Sequence, residues 1–152
     1  KSLEATRKGA DETRRALKAL RSSSLEDMGL SLAIQRTAES AAARFHLNLT
    51  LDLKNPMPTF SPDVEQTIFR VAQESIENIV NHSRAKNFSV TLDSDIHTTL
   101  TIQDDGIGFD TKSKEPTGHF GLVGMYERAQ LAGGKLKIQS EKGKGTQVVL
   151  TI

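Results

Sequence analysis

Between Gln73 and Ser83 the chain sets one carboxylate and two carboxamides at helical spacing, Glu74, Asn78 and Asn81. With Glu74 at the origin and ~100° per residue, Asn78 falls near ~40°, Asn81 near ~−20° and Arg70 near ~−40°. Ile68, Ala72, Ile76 and Ile79 gather on the opposite side. A helix here buries an aliphatic back and presents Glu74, Asn78 and Asn81 together. Carboxamide and carboxylate oxygens are hard ligands that Mg²⁺ accepts, with phosphates and water completing its shell. A carboxylate one turn from such a ligand is placed to take a proton from an attacking group. Asn forms helices poorly, so two in one helix interior ask for a reason. An ordinary surface helix, polar side outward, accounts for the same pattern.

A second candidate is the turn Asp104-Asp105-Gly106-Ile107-Gly108, which ends the alternating run Leu100-Thr101-Ile102-Gln103. A carboxylate buried at a strand end can accept a hydrogen bond from an exocyclic amine, and glycines without side chains let a flat base approach. A plain Asp-Gly turn is the competing reading. The spacing matches neither a dinucleotide-binding G-x-G-x-x-G nor a G-K-[ST] loop. The acid that closes a calcium loop is also missing. A third cluster, Gly118-His119-Phe120-Gly121-Leu122-Val123-Gly124-Met125, offers backbone N–H groups at a helix start, an arrangement suited to phosphate. Thr111–Thr117 before it reads as a mobile lid. Gly143-Lys144-Gly145-Thr146 is a hairpin turn in which Thr146 could hydrogen-bond near a base.

These residues need elements to hold them. Residues 1–20 read as helix, broken by Ser22-Ser23-Ser24, and a second helix runs from about Leu30 to Phe45. Leu47, Leu49, Leu51 and Leu53 alternate with polar residues, the period of a half-buried strand. Ser61-Pro62 starts the long helix, a hydroxyl cap followed by proline, which continues to about His82. Strands near 86–93 and 98–104 form a hairpin. A short helix at about 122–131 stops at Gly133-Gly134. Residues 135–140 and 147–152 form a second hairpin. Two hairpins predict an α+β sandwich, with a mixed, mostly antiparallel sheet covered on one face by helices.

Composition narrows the class. The 152 residues, 36% of them apolar, suit one compact domain with a helical extension. No apolar run approaches ~18 residues, so no membrane span is expected, and no secretory signal opens the chain. The chain starts on Lys1 and reads as a piece of a longer protein, whose upstream part is free to include a membrane-anchored sensor. Twenty basic and nineteen acidic side chains leave +1, which argues neither for nor against nucleic acid. Residues 1–21 carry seven Lys/Arg against three acids, a solvated helix face or a dock for something acidic. The lack of cysteine removes disulfides and thiolate metal sites and fits a reducing cytoplasm.

In this order, the pieces resemble the catalytic ATP-binding domain of sensor histidine kinases, within the gyrase, Hsp90, histidine-kinase and MutL superfamily. Residues 73–83 resemble its N box, 104–110 its G1 box and 118–125 its G2 box. Residues 125–129, Gly133-Gly134 and 143–146 are similar to the subfamily that pairs with LuxR/NarL-type response regulators. Leu20-Arg21-Ser22 and Leu25 to Leu30 resemble its linker. The likeness covers residues 14–152.

The resemblance implies a Bergerat-type fold, with residues 1–24 ending a dimerisation hairpin and residues 25–152 forming the ATP-binding domain. It implies ATP and Mg²⁺ as ligands, with Asn78 on the metal and Glu74 orienting or deprotonating the acceptor histidine. Asp104 would take the adenine amine, with Gly106 and Gly108 shaping the pocket and Thr146 supporting the base. Gly118, His119, Gly121, Leu122 and Gly124 would meet the phosphates, with Asn81 and His82 nearby. The partners implied are a response regulator and a second copy in the full-length protein, without direct nucleic-acid contact. The implied reaction moves the γ-phosphoryl of ATP to a histidine and on to a regulator aspartate.

Two departures stand out. Asn81 occupies a position where the subfamily usually has a basic residue. None of the four histidines (His46, His82, His97, His119) lies within residues 1–45. The resemblance puts the acceptor histidine, beside an acid, on the first dimerisation helix, so residues 1–21 read as the end of the second one with the acceptor helix absent. This piece is therefore expected to bind ATP without phosphorylating itself. A serine kinase or ATPase of the same superfamily, and a nucleotide-sensing module without catalysis, are the alternatives.

Overall fold

The computed structural model describes residues 28–112 and 120–152, together with Thr6, Lys8, Gly9, Glu12 and Leu25. Those four early residues are helical. The rest of the helix expected over 1–20, and most of the unit expected over 1–24, lies outside the described residues.

The elements in chain order are α1 (Leu30–Phe45), β1 (Asn48–Leu53), α2 (Pro62–Asn78), a π-helical turn (Ile79–Ser83), β2 (Asn87–Ser94), β3 (Thr98–Asp104), α3 (Phe120–Leu131), β4 (Lys135–Glu141) and β5 (Gly145–Thr151). Five strands form one sheet in the order β1-β2-β3-β5-β4, parallel between β1 and β2 and antiparallel elsewhere. Three helices cover one face. This is the expected two-layer α+β sandwich.

Local chemistry explains the element ends. Ser61 Oγ accepts the Val64 N–H at 3.4 Å, Pro62 opens α2, and Asp63 and Glu65 face the positive end of its dipole. His46 closes α1 in the left-handed region, its N–H donating to Ala42 O. At the end of α3, Gly133 takes φ 75° and the Gly134 N–H donates to Ala129 O at 2.9 Å. That is the stop the glycine pair foretold.

Period-2 alternation drives Phe88, Val90 and Leu92 of β2 inward, with Leu100 and Ile102 of β3 and Val148 and Leu150 of β5. They meet Ala33, Ile34 and Ala38 of α1, Ile68, Val71, Ala72 and Ile76 of α2, and Met125 and Ala129 of α3. Each fully enclosed Leu, Ile or Val here contributes about 1.5–3 kcal/mol. Leu49, Leu51 and Leu53 on β1 are half-buried, as their alternation foretold.

One boundary differs from expectation. The α-helical ladder of α2 stops at Asn78, and the chain then takes a π-helical turn through Ser83 instead of continuing as α-helix to His82. Ser83 Oγ donates back to Ile79 O at 2.6 Å and accepts the Ala85 N–H at 3.1 Å. Its carbonyl is taken by the Ile107 N–H at 2.7 Å. A hydroxyl competing for the i−4 carbonyl, with a tertiary donor on the last carbonyl, favours the wider i→i+5 turn.

Candidate functional site

Asp104 ends β3 in phase with Leu100 and Ile102, so its side chain lands on the helix-covered face and keeps only 6% of its surface. Its Oδ1 accepts the Gly106 N–H at 2.8 Å. Burial pushes its carboxyl above the ordinary 3.8, a rise opposed by the N–H groups of Gly106 and Thr146 and reinforced by neighbouring Asp105. Asp105, one residue on, faces solvent. It accepts from the Asn87 side chain at 2.6 Å and from the Lys86 and Asn87 N–H groups at 2.9 Å each. The Asn87 carboxamide, more than any other group, holds its pKa down. The twin acids therefore divide the work: Asp105 ties β2 to the end of β3, while Asp104 is enclosed beneath the turn.

The glycines of the turn are required by approach. A Cβ on Gly106 would press into Ser83 O and stand 2.7 Å from Ser83 Cβ. Gly108 has φ 60°, and a Cβ there would press into Glu141 O and lie 2.9 Å from Gly145 O. The β4–β5 hairpin tip therefore seats directly on the turn, with the Gly143 N–H donating to Ile107 O at 2.7 Å. The Phe109 N–H donates to Ser140 Oγ at 2.8 Å, and Ser140 Oγ lies 2.7 Å from Thr146 Oγ1. Thr146 is paired with Asp104 across the ladder.

The structure thus brings Asp104, Gly106, Gly108 and Thr146 together, and adds Ser83 and Ser140, which sequence reasoning missed. Leu136 and Ile138 precede Ser140 at the same strand phase, so a hydroxyl falling on the apolar side of β4 was the available signal.

Glu74 and Asn78 form the second group. Both are half-buried on α2, opposite its core side. The Glu74 carboxylate rests on Gly121 in the first turn of α3, so closely that a Cβ there would overlap Glu74 Oε1. Asn78 is the last α-helical residue before the π-turn that carries Ser83 to the glycine loop, so both groups converge on this end of α2. Asn81 and His82 lie in the π-turn and are exposed. Leu122 packs half-buried against the core edge. At Gly124 an added Cβ would meet only Arg128 Nη1, at 3.8 Å. Gly118, His119 and the lid from 113 onward lie outside the described residues.

The half-buried Asn78 carboxamide offers an oxygen of the kind a hard cation carried in by phosphates accepts. Among the described residues, no three His, Cys, Asp or Glu side chains are grouped to hold a metal unaided, and no helix is long and apolar enough to cross a membrane.

A model of the family "histidine kinase-, DNA gyrase B-, and HSP90-like ATPase" matches residues 63–152. An uncharacterized sensor-like histidine kinase of Chloroflexus aurantiacus is 35% identical over 150 residues, covering 93% of this chain and 25% of that protein. The signal transduction histidine-protein kinase/phosphatase DegS of Brevibacillus brevis is 32% identical over 144 residues, covering 93% of this chain and 36% of DegS. The chain spans roughly a quarter to a third of these relatives. The histidine kinase domain of the Erythrobacter litoralis EL346 blue-light activated histidine kinase superposes with a TM-score of 0.65 at 18% identity, over 81% of this chain and 60% of that one. The mycobacterial sensor histidine kinase MprB gives 0.61 at 17% identity, over 79% and 91%. At such identities the superpositions speak for the fold alone.

Proposed function

Because the chain belongs to the histidine kinase-, DNA gyrase B- and HSP90-like ATPase family, we propose that it is the ATP-binding catalytic part of a sensor histidine kinase. The observation that carries the reading is Asp104, a carboxylate enclosed at a strand end beneath a glycine turn that admits no side chain at 106 or 108. In that place an acceptor selects a base edge with an amine, and the glycine turn, packed against Ser83 and the hairpin tip, fixes where that acceptor stands.

Glu74, Asn78 and the start of α3 serve the phosphate end. Main-chain N–H groups at Gly121 and Leu122 favour phosphate oxygens, as helix N-termini do, with Gly118, His119 and Gly124 as further contacts. Mg²⁺ brought with the nucleotide would be held by Asn78 and would screen phosphate charge. Glu74, one turn before Asn78, orients an incoming histidine and takes its proton while the γ-phosphoryl is transferred. The protein contributes positioning and charge stabilisation in such transfers. The full-length protein acts as a homodimer and passes the phosphoryl group to a LuxR/NarL-type response regulator from the cytoplasmic side. A second reading, nucleotide binding without transfer, is favoured by Asn81, exposed where the resembled subfamily has a basic residue.

Joining this chain to an upstream helix with an acceptor histidine and adding γ-labelled ATP with Mg²⁺ tests the proposal. Acid-labile, base-stable label is expected, and an intact dimer that takes up none refutes transfer. Asn78→Ala is expected to keep part of the nucleotide affinity and lose its dependence on Mg²⁺ in calorimetric titration; an unchanged response excludes Asn78 as the ligand.

A further inference from the structure

Three strands run their apolar alternation into a polar residue at one end of the sheet. Leu100 and Ile102 lead to Asp104, Leu150 and Val148 to Thr146, and Leu136 and Ile138 to Ser140. The register sets Ser140 opposite Thr146 and Thr146 opposite Asp104. Directly opposite residues share a sheet face, so the three make one transverse row. Asp104 and Thr146 already belong to the proposed base site, whereas Ser140 has had no part in it.

The protons in this row can be counted. Ser140 Oγ accepts the Phe109 N–H at 2.8 Å. It lies 3.2 Å from Gly145 O, a pure acceptor, and 2.7 Å from Thr146 Oγ1, where either atom can donate. A serine hydroxyl has one proton. Spent on Gly145 O, it leaves the short contact to be made by the Thr146 proton, and all three contacts are satisfied. Spent on Thr146, it leaves Gly145 O without this bond. The first arrangement keeps one more hydrogen bond in a half-buried setting, where unmade bonds are costly.

On that count we infer that Ser140 is a positioning residue for base selection, drawing in the Thr146 hydroxyl proton so that Thr146 presents only lone pairs beside Asp104. The inference rests on reading Asp104 and Thr146 as the base end of the ATP site. Two acceptors side by side suit an exocyclic amine and reject a ring carbonyl at the same edge. The site therefore takes a 6-aminopurine and turns away a 6-oxopurine. With Ser140 removed, the Thr146 proton is freed to serve a carbonyl.

The test is equilibrium binding of ATP and ITP, which differ by amine against carbonyl at that edge, to the wild type and to Ser140→Ala, Ser140→Thr and Thr146→Val. Ser140→Ala should weaken ATP more than ITP, narrowing the preference about threefold to tenfold, the value of one hydrogen bond. Ser140→Thr should restore it. Thr146→Val should narrow it similarly, with no further narrowing when combined with Ser140→Ala. Equal losses for both nucleotides, an unchanged ratio, or additive effects in the double variant would overturn the inference and leave Ser140 a purely structural tie. A wild type that binds ATP and ITP alike, with Asp104→Asn no weaker for ATP, would instead bring down the base-site reading itself.

Discussion

Asp104 and Asp105 differ by one position and respond to pH in opposite directions. For Asp104, burial raises the carboxyl above its unfolded value, so the folded state holds its proton more tightly. Its stabilising contribution is fully present below the unfolded value and is lost as pH rises through the raised one. For Asp105, the Asn87 side chain lowers the carboxyl, so its contribution is present above the unfolded value and is lost as pH falls through the lowered one. Asp104→Asn isolates the first effect, since the amide oxygen can still accept the Gly106 N–H without becoming charged. Urea unfolding across a pH series should show the variant gaining on the wild type as pH climbs above 3.8. The same variant should show no ATP binding by calorimetry, because an acceptor has become partly a donor. Wild-type affinity would place the base elsewhere.

At the scale of elements, the glycines separate into those that packing demands and those it tolerates. Gly106→Ala drives a methyl into Ser83 O and should cost about 1–3 kcal/mol, as overpacking does. Gly124→Ala on α3 meets only the Arg128 side chain, at an ordinary contact distance, and should stabilise by about 0.5–1 kcal/mol. Chemical denaturation of the pair checks both signs. This contrast also bounds what the sequence could disclose. The face of α2 with Glu74 and Asn78 was legible because helical period is a local property. The Ser61-Pro62 start and the Gly133-Gly134 stop were legible because caps are local too. The π-turn was not, since it depends on Ile107 reaching Ser83 from the far side of a hairpin. Ser140 was overlooked because a strand-end serine reads as surface until Phe109 is seen to donate to it. The turn through Gly106 and Gly108 is legible in the sequence, but that Ser83 and the hairpin tip enforce its glycines is a tertiary fact.

For the whole molecule, nucleotide binding and stability should be linked. If the site forms only in the folded chain, Mg-ATP at a hundred times its Kd adds about 2.7 kcal/mol, enough to raise the melting temperature by several degrees. Scanning calorimetry should show that rise in the wild type and its loss in Asp104→Asn. Both hairpins and the helical cover were foreseen from sequence. The parallel pairing of β1 with β2 and the insertion of β5 between β3 and β4 were not, because they join segments with no local sign of each other.

That insertion governs the order in which the chain can become competent. β5 comes last among the described strands yet lies inside the sheet, and it brings Thr146 to the flank of Asp104 while its leading turn covers Gly108. In the proposed reading, Asp104 lacks Thr146 beside it until β5 has paired with β3. Nucleotide recognition at the proposed site would then depend on the pairing of β5, the described strand that lies farthest from β2 and β3 in sequence yet sits beside β3 in the sheet.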